Sequence, residues 1–288
     1  MLKHLGIQSK KDLLENKGIL TLSWITTIGH TISNLFLLLW NLNNILIYKY
    51  HSGVSILLVF NYFWNIIKEY NFFVWAILLI VFIILGYFVF FPIAYGSVLE
   101  IIAHKTRFSK ALGVGLSKFF IFFEYNTLIT SFSIITFFIT IARLFTLNVL
   151  ENFFIISLLS LWGILVILLK LFLPFAKILI AIEGYDVYPA IKKSMSLAIS
   201  NFGKVIKATI YQIFLFIFFY FRIGILFLIP TIVMYIIIYF QWFTNGFGSL
   251  LLWIFGITGI LLFSYVNAII YAFFESYRYN IFLEIKEE

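Results

Sequence analysis

The stretch Phe175–Val205, FAKILIAIEGYDVYPAIKKSMSLAISNFGKV, decides how the rest of the chain is read. It brings acidic, basic and proline residues into a 288-residue chain that is 63% hydrophobic and only 11% charged. A soluble domain carries about 25% charged residues. A chain this apolar cannot turn its surface to water, so the bilayer is its solvent. The polar stretch marks a place where the chain leaves the lipid.

A membrane span needs about 20 apolar residues. Six stretches qualify, at 20–47, 72–97, 119–146, 153–181, 205–229 and 249–274. The expected fold is all-α: a polytopic transmembrane helical bundle of six spans, with amphipathic interfacial helices, forming one integral membrane domain over 1–288. The first span is the least apolar, with His30, Asn34, Asn41, Asn43 and Asn44. The run from Val205 to Phe240 is too long for one upright helix. Pro230 is therefore expected to break or kink it, with the span ending near Leu228 and the remainder lying along the outer surface. A seventh span is the alternative. Val54–Tyr70 is apolar but interrupted by Asn61, Asn65, Lys68 and Glu69, which suits the outer interface.

The charges set the orientation. Four lysines precede the first span: Lys3, Lys10, Lys11 and Lys17. The link 98–118 carries Lys105, Arg107, Lys110 and Lys118, and the link 182–207 carries Lys192, Lys193, Lys204 and Lys207. The intervening links hold only Lys49 and Lys68. Basic residues concentrate on the cytoplasmic side, so both termini are expected there. The net charge of +8 therefore points to anionic lipid of the cytoplasmic leaflet rather than to nucleic acid. The N-terminal residues lack the short apolar core and cleavage site of a secretion signal, and no cleaved leader is expected. Ser9-Lys10-Lys11-Asp12 has the pattern of a capping box that opens a short helix. The 37 Phe and 17 Tyr, together with frequent Ile, Lys and Asn, fit AT-rich codons better than a ligand-stacking role.

Both cytoplasmic links carry an apolar stripe at i, i+4, i+7, i+11. In the first it is Leu112, Leu116, Phe119 and Phe123; in the second it is Ile191, Met195, Ala198 and Phe202. That spacing is one face of a helix. Pro189 suits a first helical turn. Each link follows a span ending near a proline, Pro92 or Pro174, so the two halves read as a weak parallel repeat.

The run IAIEGYDVYPAIKKSMSLAISNFGKVI resembles the signature loop of the glycerophosphoryl diester phosphodiesterase membrane-domain family and of YciC-like inner-membrane proteins. The matching positions are Glu183, Ala190, Lys193-Ser194, Leu197 and Asn201-Phe202. The ending IIYAFFESYRYN is similar to that family's exit from its last span, with Tyr271 and Arg278. The resemblance implies a six-span protein of the bacterial cytoplasmic membrane. It implies no phosphodiesterase activity, because the hydrolase in that family is a separate soluble barrel.

Charges inside lipid cost about 2.5–3.5 kcal/mol each at mid-span, so each needs a reason. Glu124 and Lys170 lie at similar heights on the third and fourth spans and are expected to pair. Arg143 can snorkel near its span end. Arg222 lies deeper, as a candidate cavity or lipid-phosphate contact. Lys105, Arg107, Lys110, Lys118, Lys192, Lys193, Lys204 and Lys207 are candidate contacts for anionic lipid or a protein partner. His4, His30, His51 and His104 have no metal-ligand spacing, and cysteine is absent. ALGVGLSKFF lacks the P-loop pattern. Asp12 and Asp186, the only aspartates, lie outside the spans. The residues call for no cofactor and offer no catalytic set. The expected function is a non-enzymatic membrane module that binds lipid or a partner. The alternatives are a transporter or permease component for a small solute and an intramembrane lipid-modifying enzyme.

Overall fold

The computed structural model describes residues 2–45, 77, 81, 84–130, 132, 134–146, 149–239 and 246–286. Among these the chain is helical throughout, without a strand. The helices are α1 (Leu2–Glu15), α2 (Lys17–Ile45), α3 (Phe91–His104), α4 (Phe108–Ser117), α5 (Phe119–Thr130), α6 (Ile134–Thr146), α7 (Phe153–Phe172), α8 (Val187–Ser200), α9 (Phe202–Tyr239) and α10 (Gly246–Lys286). The interfacial segment expected at Val54–Tyr70 lies outside the described residues.

Among the described residues, three helices are long and apolar enough to cross a membrane: Phe153–Phe172, Phe202–Gly224 within α9 and Thr258–Lys286 within α10. Only 6% of the first and 11% of the second is buried in the protein. Ile164, Ile167, Phe214 and Phe221 on these helices are exposed. Long apolar helices with bare apolar faces are stable only in lipid, and they mark a membrane protein.

Several boundaries differ from the sequence reading. The stretch 119–146 is divided between α5 and α6, with Phe132 N–H turning back to Ile129 O at 3.0 Å. The stretch 153–181 leaves the span at Phe172. Leu173 to Ala181 then enters the protein interior, with Ala176, Ile178, Leu179 and Ile180 wholly buried. Pro230 does not end its helix, because α9 runs through it to Tyr239. In lipid the one backbone bond that proline removes does not outweigh the cost of exposing a broken helix end. Ser9 does not open a helix either. It sits mid-α1 and donates to Leu5 O at 2.8 Å, while Asp12 accepts from Ser276 at 2.8 Å. The pattern looked like a local cap, and its partner is α10, far away in sequence.

The core lies at one end of the molecule. There α10 packs on α2, α1 and α3, and the lower part of α10, from Ile270 to Ile285, is buried or half-buried. Higher up, a polar ladder ties α10 to α2 and α9. Trp24 Nε1 donates to Ser264 Oγ (2.9 Å), Asn267 Nδ2 to Thr31 Oγ1 (3.0 Å) and Tyr220 Oη to Asn267 Oδ1 (2.9 Å). Such bonds hold helices together where lipid removes the hydrophobic drive for helix association.

The same local geometry occurs twice at this end. A helix closes on a left-handed residue, Lys105 (φ 51°) in the first case and Gly184 (φ 73°) in the second. An extended N-cap follows, Arg107 or Asp186, and then a short helix, α4 or α8. One turn residue, Lys118 or Asn201, leads into the next long helix. The α8 helix has 14 residues and α4 has 10, a difference of about one turn. Position 115 sits over the carbonyl of Ile93, so close that a Cβ at Gly115 would strike that oxygen and Ser97 Oγ. Its counterpart Ser194 donates to Phe172 O at 2.8 Å.

These short helices bury small residues. Ala111 and Gly115 face inward from α4, and Ala190, Ser194 and Ala198 from α8. The expected stripes lie only partly on that face: Ala198 is buried and Leu112 and Ile191 pack against the core, but Leu116, Met195 and Phe202 are exposed. The helical period is right, but in lipid small residues let helices approach while large apolar ones face the acyl chains.

Candidate functional site

Two features at this end carry the polar chemistry. The first is a cationic rim on α4 and α8 and their neighbours. Arg107, Lys110, Lys192 and Lys207 are exposed and make no ion pair among the described residues. Exposed Leu116, Met195, Ile199 and Phe202 lie on the same short helices and their junctions.

The other basic residues of the links have protein partners. Lys105 reaches Glu15 at 3.4 Å. Lys118 Nζ donates to Ile180 O at 3.1 Å and also to Ala181 O. Burial pushes the Lys118 ammonium pKa down, and Glu100 offsets part of that. Lys118 is therefore a structural clamp. Lys193 Nζ donates to Tyr185 Oη at 2.7 Å and to Glu183 Oε2 at 3.0 Å. Those two bonds raise its pKa, Tyr185 contributing the larger part. Lys286 Nζ donates to Glu183 Oε1 at 2.8 Å. Burial alone would push the Glu183 carboxyl up, but the bonds from Lys286 and Lys193 outweigh it and hold it down. Glu183 thus pins α8 to the end of α10.

The second feature is a buried ion cluster. Lys177, from the turn after α7, pairs with Glu275 of α10. Arg278 Nη1 reaches the same oxygen, Glu275 Oε1, at 3.1 Å. The Gln212 amide, with its oxygen toward the guanidinium, accepts from Arg278 Nε at 3.2 Å and Nη2 at 2.7 Å. Lys177 Nζ stands 4.7 Å from the centre of the Tyr95 ring, a cation–π contact. Glu275 is only 2% exposed and Lys177 7%.

Set against family models, curated proteins and solved structures, the chain matches none.

The remaining sequence candidates fall as follows. No ion pair joins Glu124 to Lys170 among the described residues. Glu124 is exposed on α5, whereas the charges that act on Lys170 include Arg278, Glu275 and Lys177. Arg222 is exposed, with its guanidinium 4.2 Å from the centre of the Phe218 ring one turn back. Arg143 is exposed near the end of α6. Lys204 is half-buried. Among the described residues no three His, Asp or Glu side chains converge on a metal position. A shallow cleft of about 300 Å³ between α6 and α7 is lined by Phe137, Ile141, Ile156, Leu159 and Ser160 and presents almost no polar surface.

Sequence reasoning missed the Lys177–Glu275 pair. The signal was present: Lys177 lies inside the fourth expected span and Glu275 one residue past the sixth, both at the end expected to be cytoplasmic.

Proposed function

We propose that this chain is a six-span protein of the bacterial cytoplasmic membrane with both termini inside, acting as a non-enzymatic module that gathers anionic lipid at its cytoplasmic face. One observation carries this reading: four exposed cations without ion pairs among the described residues, Arg107, Lys110, Lys192 and Lys207, lie beside exposed Leu116, Met195, Ile199 and Phe202. Apolar side chains enter the acyl boundary while the cations meet headgroups, as in interfacial helices. Each such cation contributes about 1 kcal/mol near an anionic leaflet. The resemblance of the Glu183–Phe202 stretch to the membrane-domain family supports the six-span arrangement. The distribution of lysine and arginine supports the orientation.

Native mass spectrometry of the protein extracted with its surrounding lipid tests this. Wild type should retain anionic lipid, and the Lys110→Glu/Lys192→Glu variant should lose it. A retained protein partner that is lost in the variant, with no lipid retained, would instead make the rim a protein-docking surface.

The buried Lys177–Glu275–Arg278 cluster favours a second reading, a transporter component for a small solute. Solute uptake by vesicles containing the purified chain, abolished by Lys177→Met, would establish it.

A further inference from the structure

The cluster around Glu275 holds more cations than carboxylates. Lys177 and Arg278 share one oxygen of one acid. Lys170 lies within the electrostatic reach of Arg278, Glu275 and Lys177 and makes no ion pair among the described residues. Unbalanced charge is costly away from bulk water.

Two polar atoms in the same place are also left over. Glu275 Oε2 and the Tyr271 hydroxyl are buried without a hydrogen-bond partner among the described residues. Buried polar atoms almost always have partners, and each exception asks for an explanation. Exposure falls stepwise into the cluster. Lys170 is exposed on α7, and the side chains of Arg278, Lys177 and Glu275 are 24%, 9% and 2% exposed. By that order Lys170 and Arg278 stand nearest the surface, with Lys177 behind them. Beyond the bonds described, Arg278 Nη1 and Nη2 each keep one N–H, and the Lys177 ammonium keeps two.

We propose that Lys170 and Arg278, backed by Lys177, bind a phosphate monoester, either a free anion or the headgroup of a lipid. Its ionised oxygens serve several donors at once, and a guanidinium pairs with two of them side by side. A monoester near neutral pH also keeps a P–OH part of the time, which can donate to Glu275 Oε2. Sulfate has no such proton, so the orphaned carboxylate oxygen sets a preference for phosphate. This site uses none of the rim cations, and either the site or the rim reading can fail without the other.

The test uses the full chain in neutral detergent. Thermal unfolding is followed with inorganic phosphate, sulfate at matched ionic strength, a short-chain phosphatidic acid and a phosphatidylcholine of the same chain length. Phosphate or phosphatidic acid should bind at least tenfold more tightly than sulfate or phosphatidylcholine. A response to inorganic phosphate identifies a free anion, and a response to phosphatidic acid alone identifies a lipid headgroup. Lys170→Gln, an exposed change that should leave folding intact, and Arg278→Lys should each weaken binding at least tenfold. Lys110→Glu/Lys192→Glu should leave it unchanged. Equal response to phosphate and sulfate, or affinity indifferent to both cluster variants, overturns the proposal.

Discussion

Lys118 donates its ammonium to the backbone carbonyl of Ile180 across 62 residues of sequence, at 3.1 Å. Lys118 is the turn residue between α4 and α5, and Ile180 lies in the buried π-helical turn Leu179–Glu183. That turn ends with Gly184 N–H bonded five residues back, to Leu179 O. Wide turns of this kind leave carbonyls in need of donors, and one lysine from the first hairpin supplies two of them. Lys118→Met keeps the stem and removes the donors. It should destabilise the protein by about 1–3 kcal/mol, the cost of unsatisfied buried acceptors. Unfolding in detergent would show this, with Lys110→Met as the exposed control expected near zero.

The contact of Gly115 with α3 makes a second prediction. A methyl there would strike Ile93 O and Ser97 Oγ. Gly115→Ala should therefore cost about 1–3 kcal/mol, the range for overpacking. Gly113, two residues earlier on the same helix, has nothing within 4 Å of an added Cβ. Gly113→Ala should be neutral or stabilise by about 0.5–1 kcal/mol, because alanine loses less backbone entropy in a helix. Melting temperatures of the two variants, measured side by side, would separate steric contact from helix propensity.

The buried pair predicts strong coupling. Glu275→Leu strands Lys177 without a counter-charge and should cost about 3–5 kcal/mol. Lys177→Met/Glu275→Leu removes the more deeply buried of the two cations that Glu275 balances, leaving Arg278 on Gln212, and should recover part of that loss. A double-mutant cycle from denaturant unfolding measures the coupling. Losses that simply add would mean that the two side chains do not interact.

Glu183 predicts a pH dependence of known sign. Its carboxyl is held below the ordinary range in the folded chain by Lys286 and Lys193. Its contribution is therefore complete above the unfolded carboxylate value of about 4.3 and disappears as pH falls through the lower folded value. Between pH 6 and 3 the wild type should lose its advantage over Glu183→Gln. A constant difference in melting temperature across that range would refute the clamp.

The helical class and the presence of helices long and apolar enough to span a membrane were legible in the residues, because long apolar runs are a strong signal. The inward face of α4 and α8 was legible only in part, through Ala198. Ala111 and Gly115 lie one position from Leu112 and Leu116, so the same period fits both faces, and only the solvent decides which one turns inward. The roles of the lysines were not legible either. Lys118 and Lys193 look like Lys110 and Lys192 in sequence. Burial against a carbonyl pair or beside Glu183 is a tertiary fact. Lys177 and Glu275 lie 98 residues apart, and only the packing of the turn after α7 onto α10 joins them.

The account rests on α4 and α8 facing the cytoplasm. The chain has no cysteine, so single cysteines report position without background. Ser109→Cys on α4 and Ser196→Cys on α8 are exposed sites at the rim, and Asn152→Cys is an exposed site between α6 and α7. Labelling of intact bacterial cells with a membrane-impermeant maleimide should modify Cys at position 152 and spare positions 109 and 196 until the membrane is opened. Labelling of 109 or 196 in intact cells, with 152 protected, would place the rim outside and contradict the account.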